Sequence, residues 1–156
     1  MRYEHTQTAP LYLILAASTA GLLVTAWTVP ILPMRIMFSV IGGLMLLLTF
    51  SFRQLTVSDQ RDHLLVQFGP LPLFRRRVKY AEMESVQRGR TSFLDGWGIH
   101  FSLSGGWVWN LWGFDCVDVK FKSGRRLRIG TDDPDGLESF LKLYAQLEFA
   151  QSSLSK

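Results

Sequence analysis

Side-chain catalysis needs a nucleophile held by a base, or a metal held by several ligands, and this sequence offers few residues for either. His63, His100, Asp115 and Cys116 are of suitable type, but they form no recognisable motif. Cys116 is the single cysteine, so it closes no intramolecular disulfide and has no second thiol for a zinc or redox pair. Asp132, Asp133 and Asp135 imitate part of a calcium loop without the spaced oxygen ligands and closing glutamate of an EF-hand; helix capping explains them more simply. Gly96-Trp97-Gly98 lacks the third glycine of a dinucleotide loop, and no Gly-Lys phosphate loop is present. The expectation is a protein that is not an enzyme, with no catalytic residue, metal or cofactor.

Binding chemistry is better represented. In Gly69 to Lys79, Leu71, Leu73 and Phe74 precede Arg75, Arg76, Arg77 and Lys79, an apolar and cationic mixture suited to a membrane surface. Each cation near anionic lipid contributes on the order of 1 kcal/mol. The plainer alternative is a solvated strand, because consecutive residues of a strand point to opposite faces and three arginines cannot meet one surface. Lys120, Lys122, Arg125, Arg126 and Arg128 form a second basic group around a hairpin, with a solvated outer face as its plainer account. Trp107, Trp109 and Trp112, close to Trp97, are a candidate aromatic surface, against a default of core packing. Trp107 and Trp109 should share one strand face and Trp112 the other. The net charge of +4 calls for an acidic partner, and beside a bilayer that is the lipid headgroup layer rather than nucleic acid.

The elements that must position these residues fall into two parts. Leu11 to Val29 is uncharged and long enough to cross the hydrocarbon core as a helix. A second apolar run, about Met34 to Phe52, contains only Arg35, near its start, where it can snorkel to the headgroups. A cleaved signal peptide competes with the first assignment, but the run exceeds a usual signal core and a second run follows at once. Pro30 and Pro33 suit a tight connection, giving a helical hairpin. Ala17, Gly21, Gly42 and Gly43 either allow close helix approach or are simply common membrane residues. Arg2, Arg53 and Arg61 outside the spans, against Arg35 in the turn, put both ends in the cytoplasm.

From Arg53 onward the pattern becomes period-two stretches bounded by turn residues, which predicts seven or eight antiparallel strands. Leu55 and Val57, then Leu64, Val66 and Phe68, form the first hairpin. Phe74 to Tyr80, Met83 to Arg90, Ile99-Phe101-Leu103, a strand from Trp107, Val117-Val119-Phe121 and Leu127-Ile129 follow. Leu137, Phe140, Leu141, Tyr144 and Leu147 then fall on one helical stripe, with Asp133 as N-cap and Pro134 at the first helical position.

This order, with Gly96-Trp97-Gly98-Ile99, Gly106-Trp107-Val108-Trp109-Asn110 and the run Ser123 to Pro134, resembles prokaryotic membrane proteins carrying a pleckstrin-homology-like domain. Phe68-Gly69-Pro70 followed by Arg75 and Arg76 is also like that group. The resemblance spans nearly the whole chain and implies two packed sheets with the last helix plugging one open end. In phosphoinositide-binding relatives, basic residues around the first hairpin hold the phosphates. Here the turn Ser58 to Asp62 sets Arg61 between Asp59 and Asp62, so no binding residue carries over.

The sequence therefore predicts an α+β membrane protein. Residues 1–10 are a short cytoplasmic tail, 11–52 a transmembrane hairpin with helices over about 11–29 and 34–52, and 53–150 a PH-like β-sandwich or barrel capped by a C-terminal helix. Residues 151–156 are a disordered tail. The expected function is a binding or scaffolding module anchored in the inner membrane, acting on anionic lipid, a protein partner or a second copy. The alternative is an accessory subunit of a transporter or enzyme complex that uses the hairpin as its interface.

Overall fold

A computed structural model describes residues 2–91, 96–102 and 105–154, and for 145–154 the backbone alone. The chain runs through β1 (Glu4–Thr8), α1 (Leu11–Thr28), α2 (Leu32–Ser51), β2 (Gln54–Asp59), β3 (His63–Phe68) and β4 (Arg75–Lys79). A 3₁₀ turn at Tyr80–Glu82 leads to β5 (Met83–Arg90), β6 (Gly98–Phe101), β7 (Trp107–Asn110), β8 (Asp115–Phe121), β9 (Arg126–Gly130) and α3 (Pro134–Leu154). Leu103, assigned above to the β6 stretch, lies outside the described residues, as does the side chain of Leu147.

The architecture is α+β, with a four-stranded sheet, β1-β2-β3-β4, and a five-stranded sheet, β5-β8-β9-β7-β6. Leu55, Val57, Leu64, Val66, Phe68 and Val78 of the first face Val86, Trp109, Val117, Val119, Leu127 and Ile129 of the second in one buried cluster. No strand pairing joins the sheets, so of the two forms expected the closed barrel is not found among the described residues. Nor is every pairing antiparallel. β8 reverses the chain after β7, and β9, antiparallel to β8, consequently runs parallel to β7, with Trp109 opposite Ile129.

Residues 4–8 correct the reading of residues 1–10 as a tail. They form β1, which pairs with β2 from Glu4 opposite Ser58 to Thr8 opposite Gln54. The strand before the helical hairpin thus lies beside the strand after it, and both ends of the hairpin emerge on the same side. The helices hold each other through a buried contact between the Thr19 and Thr49 hydroxyls at 3.3 Å. Arg35 does more than reach outward: its Nε and Nη2 donate to the carbonyls of Ala26 and Trp27, each at 3.2 Å, satisfying the C-terminal end of α1. Of the small residues, Gly42 is buried against the Leu23 side chain, whereas a Cβ on Gly21 or Gly43 would meet nothing within 4 Å. The hairpin seam is therefore narrower than four small residues would make it.

Two joints fix the sheets to their caps. Gly69, at φ +63°, sits against the end of α2, where a Cβ would lie 2.5 Å from the Ser51 carbonyl oxygen. At the opposite end of the first sheet, the buried Asp59 carboxylate accepts from the Tyr80 hydroxyl and the Arg61 N–H, both at 2.8 Å, and from the Tyr144 hydroxyl at 3.5 Å. Burial, and next the bond to Asp59, push the Tyr80 phenol far above its ordinary pKa, which keeps it a neutral donor. α3 seals this end with Phe140 and Tyr144 against Tyr80. Its first turn is capped as expected, Gly136 N–H donating to Asp133 Oδ1 at 3.1 Å. The helix runs on to Leu154, past the boundary at 150 where a disordered tail was expected.

Gly69→Ala should destabilise the full chain by about 1–3 kcal/mol, through left-handed strain and the clash with α2. Tyr80→Phe should cost about 1–3 kcal/mol by depriving the buried Asp59 carboxylate of a donor. Thermal unfolding in detergent micelles measures both.

Candidate functional site

The β-strand period of two divides the first basic group. Arg76 pairs with the fully buried Val66, and cross-strand partners share a face, so Arg76 belongs to the inner face of the first sheet. Arg75 and Arg77, on either side of it, are exposed on the outer face. Lys79, at the far end of β4, lies 3.6 Å from Glu82. Phe74 is not a surface contact: it is partly buried, with its ring 5.8 Å from that of Phe52, beside the core. Leu71 and Leu73, by contrast, are 39% and 56% exposed. They project from the β3–β4 connection, which Gly69 sets against the end of α2.

The second basic group is divided by pairing. Lys120 contacts Glu84 at 2.8 Å, Arg128 contacts Asp118 at 3.3 Å, and Lys122 donates to the Ala81 carbonyl at 2.7 Å. Arg126 is the cross-strand partner of Lys120 and shares its outer face. Arg125 lies in the β8–β9 turn, its Nε donating to the Ser123 hydroxyl at 3.1 Å. Its charge acts on Arg76, whose pKa is held below the usual guanidinium value, first by burial and then by this like charge. One member of each basic group thus lies within electrostatic reach of the other.

The three tryptophans do not form one surface. Trp109 is a core residue, its ring 5.7 Å from Phe68, and Trp112 is half-buried, stacked on Trp97 at 4.2 Å. Trp107 is exposed and meets the exposed Phe101 edge-on at 6.1 Å. Phe101 was missed because the sequence marks it as an ordinary inward strand position; only its register opposite Trp107, at the rim beyond the core, exposes it.

Among the residues considered for catalysis, His100 Nε2 is buried with no hydrogen-bond partner among the described residues, and the others are buried or paired. Cys116 is buried, His63 Nδ1 lies 2.8 Å from Asp62, and Asp115 is near both Arg88 and Arg90. Asp132 pairs with His5, Asp135 with Arg88 at 2.7 Å, and Asp133 caps α3 while accepting from the Tyr3 hydroxyl at 3.2 Å. Among the described residues, no three His, Cys, Asp or Glu side chains converge on a metal position.

Comparison of the chain with protein-family models, with curated proteins and with solved structures finds no match.

Trp109→Ala should cost about 3–5 kcal/mol of unfolding free energy, as for a large aromatic removed from a core. Trp107→Ala should stay within about 1 kcal/mol. Denaturant titration of the two variants separates the core ring from the free one.

Proposed function

We propose that the chain is an integral protein of the inner membrane, with both termini cytoplasmic, whose PH-like domain is a non-enzymatic binding and scaffolding module at the bilayer surface. Two features support the anchor. Both helices have the length and hydropathy of a membrane span. Large apolar side chains are exposed along them, among them Ile14, Val24, Ile36, Val40 and Leu44, and a water-facing hairpin would not tolerate so continuous an apolar surface.

The observation that carries the surface reading is the position of the β3–β4 connection. With Gly69 packed on the last carbonyls of α2, the connection that carries the exposed Leu71 and Leu73 starts at the end of α2, and Arg75 follows directly. Leucines at the acyl boundary with cations at headgroup level are the two components of interfacial attachment. Arg2, Arg53 and Arg61 on the same side favour the anionic cytoplasmic leaflet. The first-hairpin turn is not the contact, since Asp59 there is buried by Tyr80 and Tyr144.

A bimane label on Leu71→Cys tests this in full-length protein, because the native Cys116 is buried and will not compete. In nanodiscs containing phosphatidylglycerol the label should be quenched by shallow headgroup spin labels and shielded from iodide. Arg75→Gln with Arg77→Gln should lessen that protection, by on the order of 1 kcal/mol per cation. Equal iodide access in neutral and anionic nanodiscs, with and without the arginines, would refute the lipid contact.

A further inference from the structure

The inner face of the second sheet continues beyond the core. Ile99 is opposite Trp109 and Phe101 is opposite Trp107, so all four side chains share that face. The first pair packs in or against the core, whereas Phe101 and Trp107 are 64% and 44% exposed. With Gly105, Gly106, Gly124 and the β8–β9 turn they line a recess of about 330 Å³. Gly106 makes the recess possible: at φ +100° it lies against Arg126, where a Cβ would come within 2.8 Å of the Arg126 Cβ. Arg125 borders the recess, and Arg76 faces inward from β4, the outermost strand of the other sheet. Neither arginine has a carboxylate partner among the described residues. The like charge of Arg125 acts on Arg76, and an anion between them would offset it.

We propose that this recess docks an extended acidic segment of a partner protein, with a carboxylate between Arg76 and Arg125 and an apolar side chain against Phe101 and Trp107. Charge complementarity selects an anion, and the guanidinium fork matches a carboxylate. The aromatic rim selects a peptide over a headgroup. A Cβ on Gly98, at the other end of β6, would meet the Phe52 ring at 3.8 Å, which puts the Phe101–Trp107 rim about 10 Å further along the strand from the α2–β2 junction. Tryptophan, phenylalanine and arginine are also the residue types that anchor protein interfaces. β6 is an edge strand, the position at which an extended segment adds to a sheet. This inference is independent of the lipid contact, which uses Arg75 and Arg77 on the opposite face.

The test uses the full chain in phosphatidylcholine nanodiscs and a fluorescein-labelled synthetic peptide of alternating glutamate and phenylalanine, read by anisotropy. Binding should weaken about tenfold in Arg76→Gln, Arg125→Gln and Trp107→Ala, and should be unchanged in Arg75→Gln with Arg77→Gln. Arg76→Glu with Arg125→Glu should lose this peptide and gain its lysine–phenylalanine counterpart, which a merely unfolded variant would not do. Absence of binding, binding indifferent to Arg76 and Arg125, or equal binding of a glutamate–serine peptide would overturn the proposal. So would loss, in the same variants, of the iodide protection of the Leu71→Cys label in phosphatidylglycerol nanodiscs, which would assign the recess to lipid.

Discussion

The pairing of β1 with β2 is the constraint on which the rest of the molecule depends. These strands are separated in sequence by the whole helical hairpin, yet Thr8 lies opposite Gln54, so the hairpin is inserted between neighbouring strands of one sheet. Only Ala9 and Pro10 separate β1 from α1, and only Phe52 and Arg53 separate α2 from β2. Such short connections leave little freedom to swing. Phe52 adds packing at the junction, its ring 5.0 Å from Phe68, and Gly69 permits backbone contact that any larger residue would prevent. The sheet is set on the hairpin as a rigid continuation of it rather than tethered to it.

This rigid joint gives the charge pattern its meaning. On a freely tumbling domain, three consecutive arginines would be an undirected cationic strand. Here the register is locked by Val66 and Val78 facing the core, so Arg75 and Arg77 are sent outward and Arg76 inward. An inward-pointing charge on an edge strand also discourages unwanted sheet extension. The same strand thus presents different arginines to the two faces of the sheet, and a one-residue slip would exchange them.

Much of the fold was legible because its burial follows simple periods. The eight strands after the hairpin, the amphipathic α3 and its Asp133 cap all announce themselves through alternation, helical spacing and capping chemistry. β1 did not, because its inward positions are polar. His5 reaches Asp132, and Gln7 donates to the Trp112 carbonyl at 3.0 Å, partners far away in sequence that no local pattern can reveal. The site was legible by residue type but not by grouping. Composition singled out arginines and tryptophans as candidate contacts, but their division depends on register and sheet order. Trp109 falls over the core while Trp107, two residues away on the same face, falls past its edge.

A rigid anchor also changes how strong a surface contact must be. A soluble domain must recover the translational and rotational freedom lost on binding a membrane or a membrane-bound partner, a cost of several kcal/mol. A domain already fixed beside the bilayer meets such targets at high effective concentration, so contacts on the order of 1 kcal/mol each are enough to bias its occupancy. Arg75 and Arg77, together with two exposed leucines, fit that regime. In the proposed docking, a partner segment needs to supply only one carboxylate to relieve the repulsion between Arg76 and Arg125. In the proposed reading, weak, well-placed charges on an anchored domain do the work that a deep pocket does on a diffusing one.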